Sequence, residues 1–105
     1  MTLNELYMEL DAICSTAFMV FEEPQNLPYM VYGEDAASDF SADNQHYYKI
    51  NNYWLEYYSK IPSVTDEARI EEVFKHNDIP YSRQGRQYLD GEKMFICVYD
   101  FQLGE

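Results

Sequence analysis

The first 48 residues of this 105-residue chain contain no lysine and no arginine. They carry carboxylates instead: Glu5, Glu9, Asp11, Glu22, Glu23, Glu34, Asp35, Asp39 and Asp43. Proteins grip a phosphate backbone with Lys and Arg, so this half excludes a basic nucleic-acid surface. Over the whole chain seven Lys and Arg stand against nineteen Asp and Glu, a net charge of −12. Glycine is scarce, and Gly33, Gly85, Gly91 and Gly104 are scattered, which reads as turns. No Walker loop, dinucleotide fingerprint or Gly-x-Ser-x-Gly elbow can be built from them. The longest apolar stretches, about five residues, are far short of the ~20 that a membrane helix needs. The N-terminus lacks the basic and apolar segments of a signal peptide. The expectation is a chain made in the cytoplasm that engages no membrane.

Cysteine and histidine are almost missing too. Cys14 ends a helical apolar stripe and Cys97 alternates with aromatics. Both read as small buried hydrophobes in a reducing compartment, with a Cys14–Cys97 disulfide as the alternative. His76 sits beside Lys75 late in a helix, where the dipole accounts for it. His46 with Asp39 and Asp43 is the one metal arrangement on offer, and its spacing matches no recognised ligand motif. Glu22-Glu23 and Glu71-Glu72 are adjacent, which points their side chains apart. They read as solvated charges, not an acid/base pair. No enzyme activity, metal or cofactor is expected.

What is abundant is aromatic: eleven Tyr, six Phe and one Trp, 17% of the chain. Such residues favour strands and anchor interfaces. Thr2 and Glu5 form a Thr-x-x-Glu capping box. Leu3, Leu6, Tyr7, Leu10, Ile13 and Cys14 then recur at helical spacing, opposite Asn4, Glu5, Glu9 and Asp11. An edge strand is expected over Ala17–Phe21, a turn between Pro24 and Pro28, and a strand over Tyr29–Tyr32. Gly33 to Asn44 is small and acidic, and reads as a long hairpin arm or a mobile loop. Phe40 is isolated there, either as a partner anchor or folded back onto the domain.

A long strand, or a strand with a kink near Asn51-Asn52, is expected over His46–Ser59. Tyr53 and Tyr57 lie on one face, Trp54 and Tyr58 on the other. A sheet coated by helices on one side has a polar second face. Two aromatic faces imply that the second is covered as well, by another subunit. A second helix begins near Thr65 or Asp66, with acids early and Lys75 and His76 late, and Asn77 stops it. Its stripe is Ile70, Val73 and Phe74. A strand over Ile79–Leu89, a two-residue Asp90-Gly91 hairpin turn and a strand over Lys93–Gln102 complete the chain. The last strand is apolar on both faces and belongs inside the sheet. The order specifies one α+β domain over residues 1–105, with two helices on a mainly antiparallel sheet of four to five strands. Arg83 and Arg86 are the one close basic pair. They are placed to meet the acidic loop around Asp35, Asp39 and Asp43 of a neighbouring copy, in head-to-tail association.

Three segments carry a resemblance: Glu-Pro-Gln-Asn-Leu-Pro-Tyr-Met-Val-Tyr (23–32), Ala-Asp-Asn-Gln-His-Tyr-Tyr-Lys-Ile-Asn-Asn-Tyr-Trp-Leu-Glu-Tyr-Tyr (42–58) and Glu-Lys-Met-Phe-Ile-Cys-Val-Tyr-Asp-Phe (92–101). Together they resemble small proteins of phages and prophages of low-GC Gram-positive bacteria, similar to tail completion (tail terminator) proteins of the siphophage neck. The resemblance spans nearly the whole chain and rests on prolines and aromatics. It implies a virion protein assembled in the host cytoplasm. Such a protein forms a homo-oligomeric ring, typically a hexamer, at the head-proximal end of the tail tube. Its partners are the tail tube protein and the head-closure proteins of the connector, and DNA passes through the lumen without specific binding. The family offers no catalytic residue to carry over. Asp35, Asp39, Phe40, Asp43, Arg83, Arg86, Trp54 and Tyr58 are the expected contact residues. The alternative is an acidic DNA-mimic inhibitor of phage origin, of anti-restriction or anti-CRISPR type. The charge supports it, and the absence of regular carboxylate spacing speaks against it.

Overall fold

Thr2 opens the first helix, α1 (Leu3–Asp11), as the capping box requires. Its Oγ1 accepts from the Glu5 N–H at 3.1 Å, while Glu5 Oε1 accepts from the Thr2 N–H at 2.8 Å. Leu6 and Leu10 fall on the inner face and are fully buried. The computed structural model describes residues 1–23, 25–35 and 50–104. The acidic stretch from 36 to 49, with the first part of the expected long strand, lies outside the described residues.

Five strands follow: β1 (Ser15–Phe18), β2 (Tyr29–Glu34), β3 (Ile50–Ser59), β4 (Tyr81–Leu89) and β5 (Met94–Gly104), with α2 (Val64–His76) between β3 and β4. The sheet order is β1-β2-β3-β5-β4. β1 runs parallel to β2 and every other pair is antiparallel. β5 has a strand on each side, as its two apolar faces demand.

Three local expectations need correction. The edge strand ends at Phe18, not Phe21, because Met19 takes φ 68° and turns the chain out of the sheet. Gly33 and Glu34, expected in the loop, extend β2 instead, opposite Trp54 and Tyr53. The β4–β5 connection has four residues, 90–93, between paired Leu89 and Met94. A two-residue type I′ turn needs positive φ at both central positions. Here the positive φ falls on Lys93 (54°), whose N–H donates to the Leu89 carbonyl at 2.7 Å.

Ser63 caps α2 by accepting from the Asp66 N–H at 3.2 Å, and Asn77 closes it, with Asp78 turning away at φ 54°. The Asn77 side chain donates to Glu9 at 3.2 Å, which ties α2 to α1. Both helices cover the same sheet face. Beneath them Leu55, Tyr57, Cys97, Tyr99 and Phe101 form one buried cluster with Leu10, Ile70 and Phe74. Phe74 packs on the rings of Tyr81 and Phe101, with centroids 5.1 and 5.2 Å away. Removing such a side chain from water contributes about 1.5–3 kcal/mol.

The buried phenols keep partners. Tyr57 donates to Asp66 Oδ2 at 2.5 Å and Tyr99 to Glu71 Oε2 at 3.0 Å. Burial, with these carboxylates, raises both phenols above their ordinary value of 10.0. Burial likewise pushes the Cys14 thiol up to about 12, and raises Cys97. The unfolded chain releases these protons first, so the native state gains nothing from them below their ordinary values and loses ground above. The urea midpoint is therefore expected to hold steady to about pH 8 and to fall from about pH 9 upward, as a pH series of urea titrations will show.

Candidate interaction surface

Among the described residues no helix lies on the sheet's other face. Side chains alternate along each strand, so Tyr29, Val31 and Gly33 of β2 share this face with Trp54, Glu56 and Tyr58 of β3, and with Met94, Ile96 and Val98 of β5. Much of it is apolar, and the chain covers part of it alone. Past Phe18, the Met19 N–H donates to the Tyr32 carbonyl at 2.7 Å, and the Val20 N–H reaches back to the Phe18 carbonyl at 2.7 Å. This tight turn folds Met19 to Phe21 back over the sheet. Met19 closes on Gly33 with Trp54: a Cβ at Gly33 would lie 2.6 Å from Met19 Sδ and 2.3 Å from Trp54 Cζ2. Gly33 is thus no turn residue. It is a seat for the indole.

Beyond that seat, toward the other end of the strands, the face opens into a groove of about 630 Å³. The Met19–Glu23 segment borders one side, and Leu89, Glu92 and Met94 of the hairpin border the other. Its floor is Tyr29, Val31, Glu56 and Tyr58. Tyr29 and Tyr58 are paired across β2 and β3, with rings stacked at 4.9 Å and 24°. Phe21 meets Tyr29 edge-on at 5.5 Å. The Tyr58 hydroxyl donates to Glu56 Oε1 at 2.9 Å. Burial first, then nearby Glu56 and Glu92, raise both tyrosine phenols, so both rings are neutral across the physiological range. Val20 and Met19 at the rim are 68% and 51% exposed, unusual for such side chains beside an apolar face.

The expected contact residues divide between the two faces. Trp54 and Tyr58 lie on the helix-free face. Asp35 is exposed just beyond β2, where its N–H donates to the Asn52 carbonyl at 2.9 Å. Asp39, Phe40 and Asp43 lie outside the described residues, as does the His46 arrangement. Arg83 and Arg86 sit under α2, on the helix face. Residues three apart in a regular strand point to opposite sides. Here a β-bulge at Gly85, with φ 114°, inserts one residue between them and turns both toward Glu67. Arg86 forms two bonds with that carboxylate, Nε to Oε2 and an NH2 to Oε1, both at 2.7 Å. Arg83 adds one at 3.3 Å and approaches Glu71 at 3.8 Å.

Glu67 is 2% exposed, and reading it as a dipole charge missed its role. The signal was its spacing: Glu67 and Glu71 fall in phase with Ile70 and Phe74 on the buried stripe. Among the described residues no group of His, Cys, Asp and Glu could hold a metal ion, and no helix is long and apolar enough to cross a membrane. No protein-family model matches the chain, and no curated protein matches it.

Gly33→Ala is expected to lower stability by about 1–3 kcal/mol, because the new methyl must displace the Trp54 ring. Urea titration followed by far-UV circular dichroism measures it, and adding Trp54→Leu should relieve most of the loss. A buried carboxylate stripped of its partner is strongly destabilising. Arg86→Ala should therefore lower the midpoint more than Arg83→Ala, which removes one longer bond.

Proposed function

We propose that this chain is a non-enzymatic structural protein of a phage virion, a tail completion (tail terminator) protein. In this reading copies form a ring, six-fold by family resemblance, at the head-proximal end of the tail tube. The ring joins tube to head-neck connector and lets DNA pass. One observation carries the reading: no helix among the described residues covers the sheet face that holds Trp54 and Tyr58, both half-buried, and Met19 and Val20 at its border are exposed. Apolar and aromatic side chains left accessible together in this way suit a contact surface for assembly. The acidic surplus fits a lumen that repels the duplex and does not grip it.

A second reading, an acidic DNA-mimic inhibitor, draws support from the internal pairing of Arg83 and Arg86 with Glu67. Two of the chain's seven cations are thereby directed at one buried carboxylate, and the outward surface is left the more acidic.

Native mass spectrometry of the purified protein, alone and with tail tubes of the phage that encodes it, tests the proposal. The expected result is a ring near six times 12.5 kDa, or stoichiometric capping of tube ends. A monomer or dimer that leaves the tubes bare overturns it and favours the inhibitor.

A further inference from the structure

We infer that the groove on the helix-free face is a docking site for a basic, partly apolar peptide segment of a different protein, with a Lys or Arg side chain seated against the Tyr29–Tyr58 pair beside Glu56 and Glu92. The inference stands whether or not the chain forms a ring.

Glu56 is the first reason. It lies on β3, an interior strand, and its cross-strand neighbours are Val31 on β2 and Val98 on β5. A half-buried carboxylate in the middle of an apolar row is costly without a counter-ion. Among the described residues neither Glu56 nor Glu92 forms an ion pair with a Lys or Arg. The one described hydrogen bond to the Glu56 carboxylate comes from Tyr58, which leaves acceptor capacity facing the groove. The second reason is the lining as a whole. It includes four carboxylates, Glu22, Glu23, Glu56 and Glu92, and no cation among the described residues. The third is the aromatic floor. A cation over a tyrosine ring is attracted by the ring's quadrupole, and the aliphatic stem of Lys or Arg packs on apolar surface. Val31, Leu89 and Met94 supply that surface and accept a neighbouring apolar side chain.

Charge also selects the occupant. A second copy brings a net −12 to the same rim, and its Arg83 and Arg86 already face Glu67. The chain's own residues 36–49 join strands β2 and β3 at Glu34 and Ile50, the opposite end of the sheet from Tyr29 and Tyr58. That sequence carries Asp39 and Asp43 against Lys49, with no positive surplus. A foreign segment with Lys or Arg flanked by apolar residues satisfies both the floor and the rim.

The test uses the full chain and a fluorescein-labelled peptide of alternating Leu and Arg, read by anisotropy. The comparison peptide has citrulline in place of Arg, which keeps shape and removes charge. Glu56→Gln with Glu92→Gln is the site variant, and the amide oxygen it places on β3 still accepts from Tyr58. Glu72→Gln with Asp78→Asn removes the same charge from the exposed far side of the molecule. The Arg peptide is expected to bind and the citrulline peptide to bind at least about fivefold more weakly. The site variant should weaken Arg-peptide binding by about fivefold to tenfold, and the remote variant by less than about twofold. Circular dichroism checks that both variants fold. Absence of Arg-peptide binding, equal binding of the citrulline peptide, or equal weakening by both variants overturns the inference. None of these outcomes bears on the native mass that tests ring formation.

Discussion

Two helices shield one face of a five-stranded sheet, and the strands of this chain are aromatic on both. That mismatch governs the rest of the molecule. On the helix side the solution is ordinary: Phe74, Tyr99 and Phe101 fill the space under α2, and the Tyr99 hydroxyl finds a carboxylate at its edge. On the bare side the chain works with less material. A single residue at positive φ, Met19, folds three apolar residues back over the sheet. A missing Cβ at Gly33 lets the indole of Trp54 close on the backbone there, so that the largest side chain in the sequence is half hidden with no described helix above it. Stacking of Tyr29 on Tyr58 hides another part. What these devices leave uncovered is the groove.

The charges follow the same division. On the helix face a buried carboxylate, Glu67, is matched by two guanidinium groups brought to one side by the bulge at Gly85. The bulge has a second effect, because β4 is an edge strand. A long, flat edge invites another chain to add on, and bulges and charges are the usual protection against it. Gly85 interrupts the edge, and Arg83 and Arg86 flank the interruption. Pairing along β4 is thereby discouraged. On that face the half-buried carboxylate, Glu56, has no described cation beside it. The contrast between Glu67, doubly matched, and Glu56, met by one phenol, is the electrostatic asymmetry of the molecule.

Much of this architecture was legible in the residues. The capping box at Thr2, the helix stop at Asn77 and the interior place of β5 follow from local chemistry and period. The two aromatic faces of β3 were legible as well. What was not legible depends on contacts between distant residues or on backbone angles that composition does not specify. Gly33 reads as a loop residue until Trp54 is known to lie opposite it. Asp90-Gly91 has the composition of a two-residue turn, yet Lys93 supplies the left-handed residue. Arg83 and Arg86 read as a surface pair because strict alternation separates them, and only the bulge unites them. Glu67 could have been read from its phase with Ile70 and Phe74. The groove could not, since its two sides lie far apart in sequence, at Met19–Glu23 and Leu89–Met94.

The acidity of the chain bears differently on the two functional readings once its placement is considered. A surface that imitates nucleic acid presents carboxylates as a repeating, outward row that a partner reads as phosphates. The four glutamates of the groove do not form such a row. They surround stacked tyrosines and aliphatic side chains, so each charge sits beside an apolar neighbour. That combination fits side chains carrying both a cation and an aliphatic stem, and it fits them one at a time and in a set position. A protein partner with interspersed basic and apolar residues matches such a surface, whereas a site that normally receives duplex DNA, basic throughout, would leave Tyr29, Val31 and Met94 unmatched. The distribution of charge, more than its total, therefore favours a protein-assembly role over mimicry of DNA.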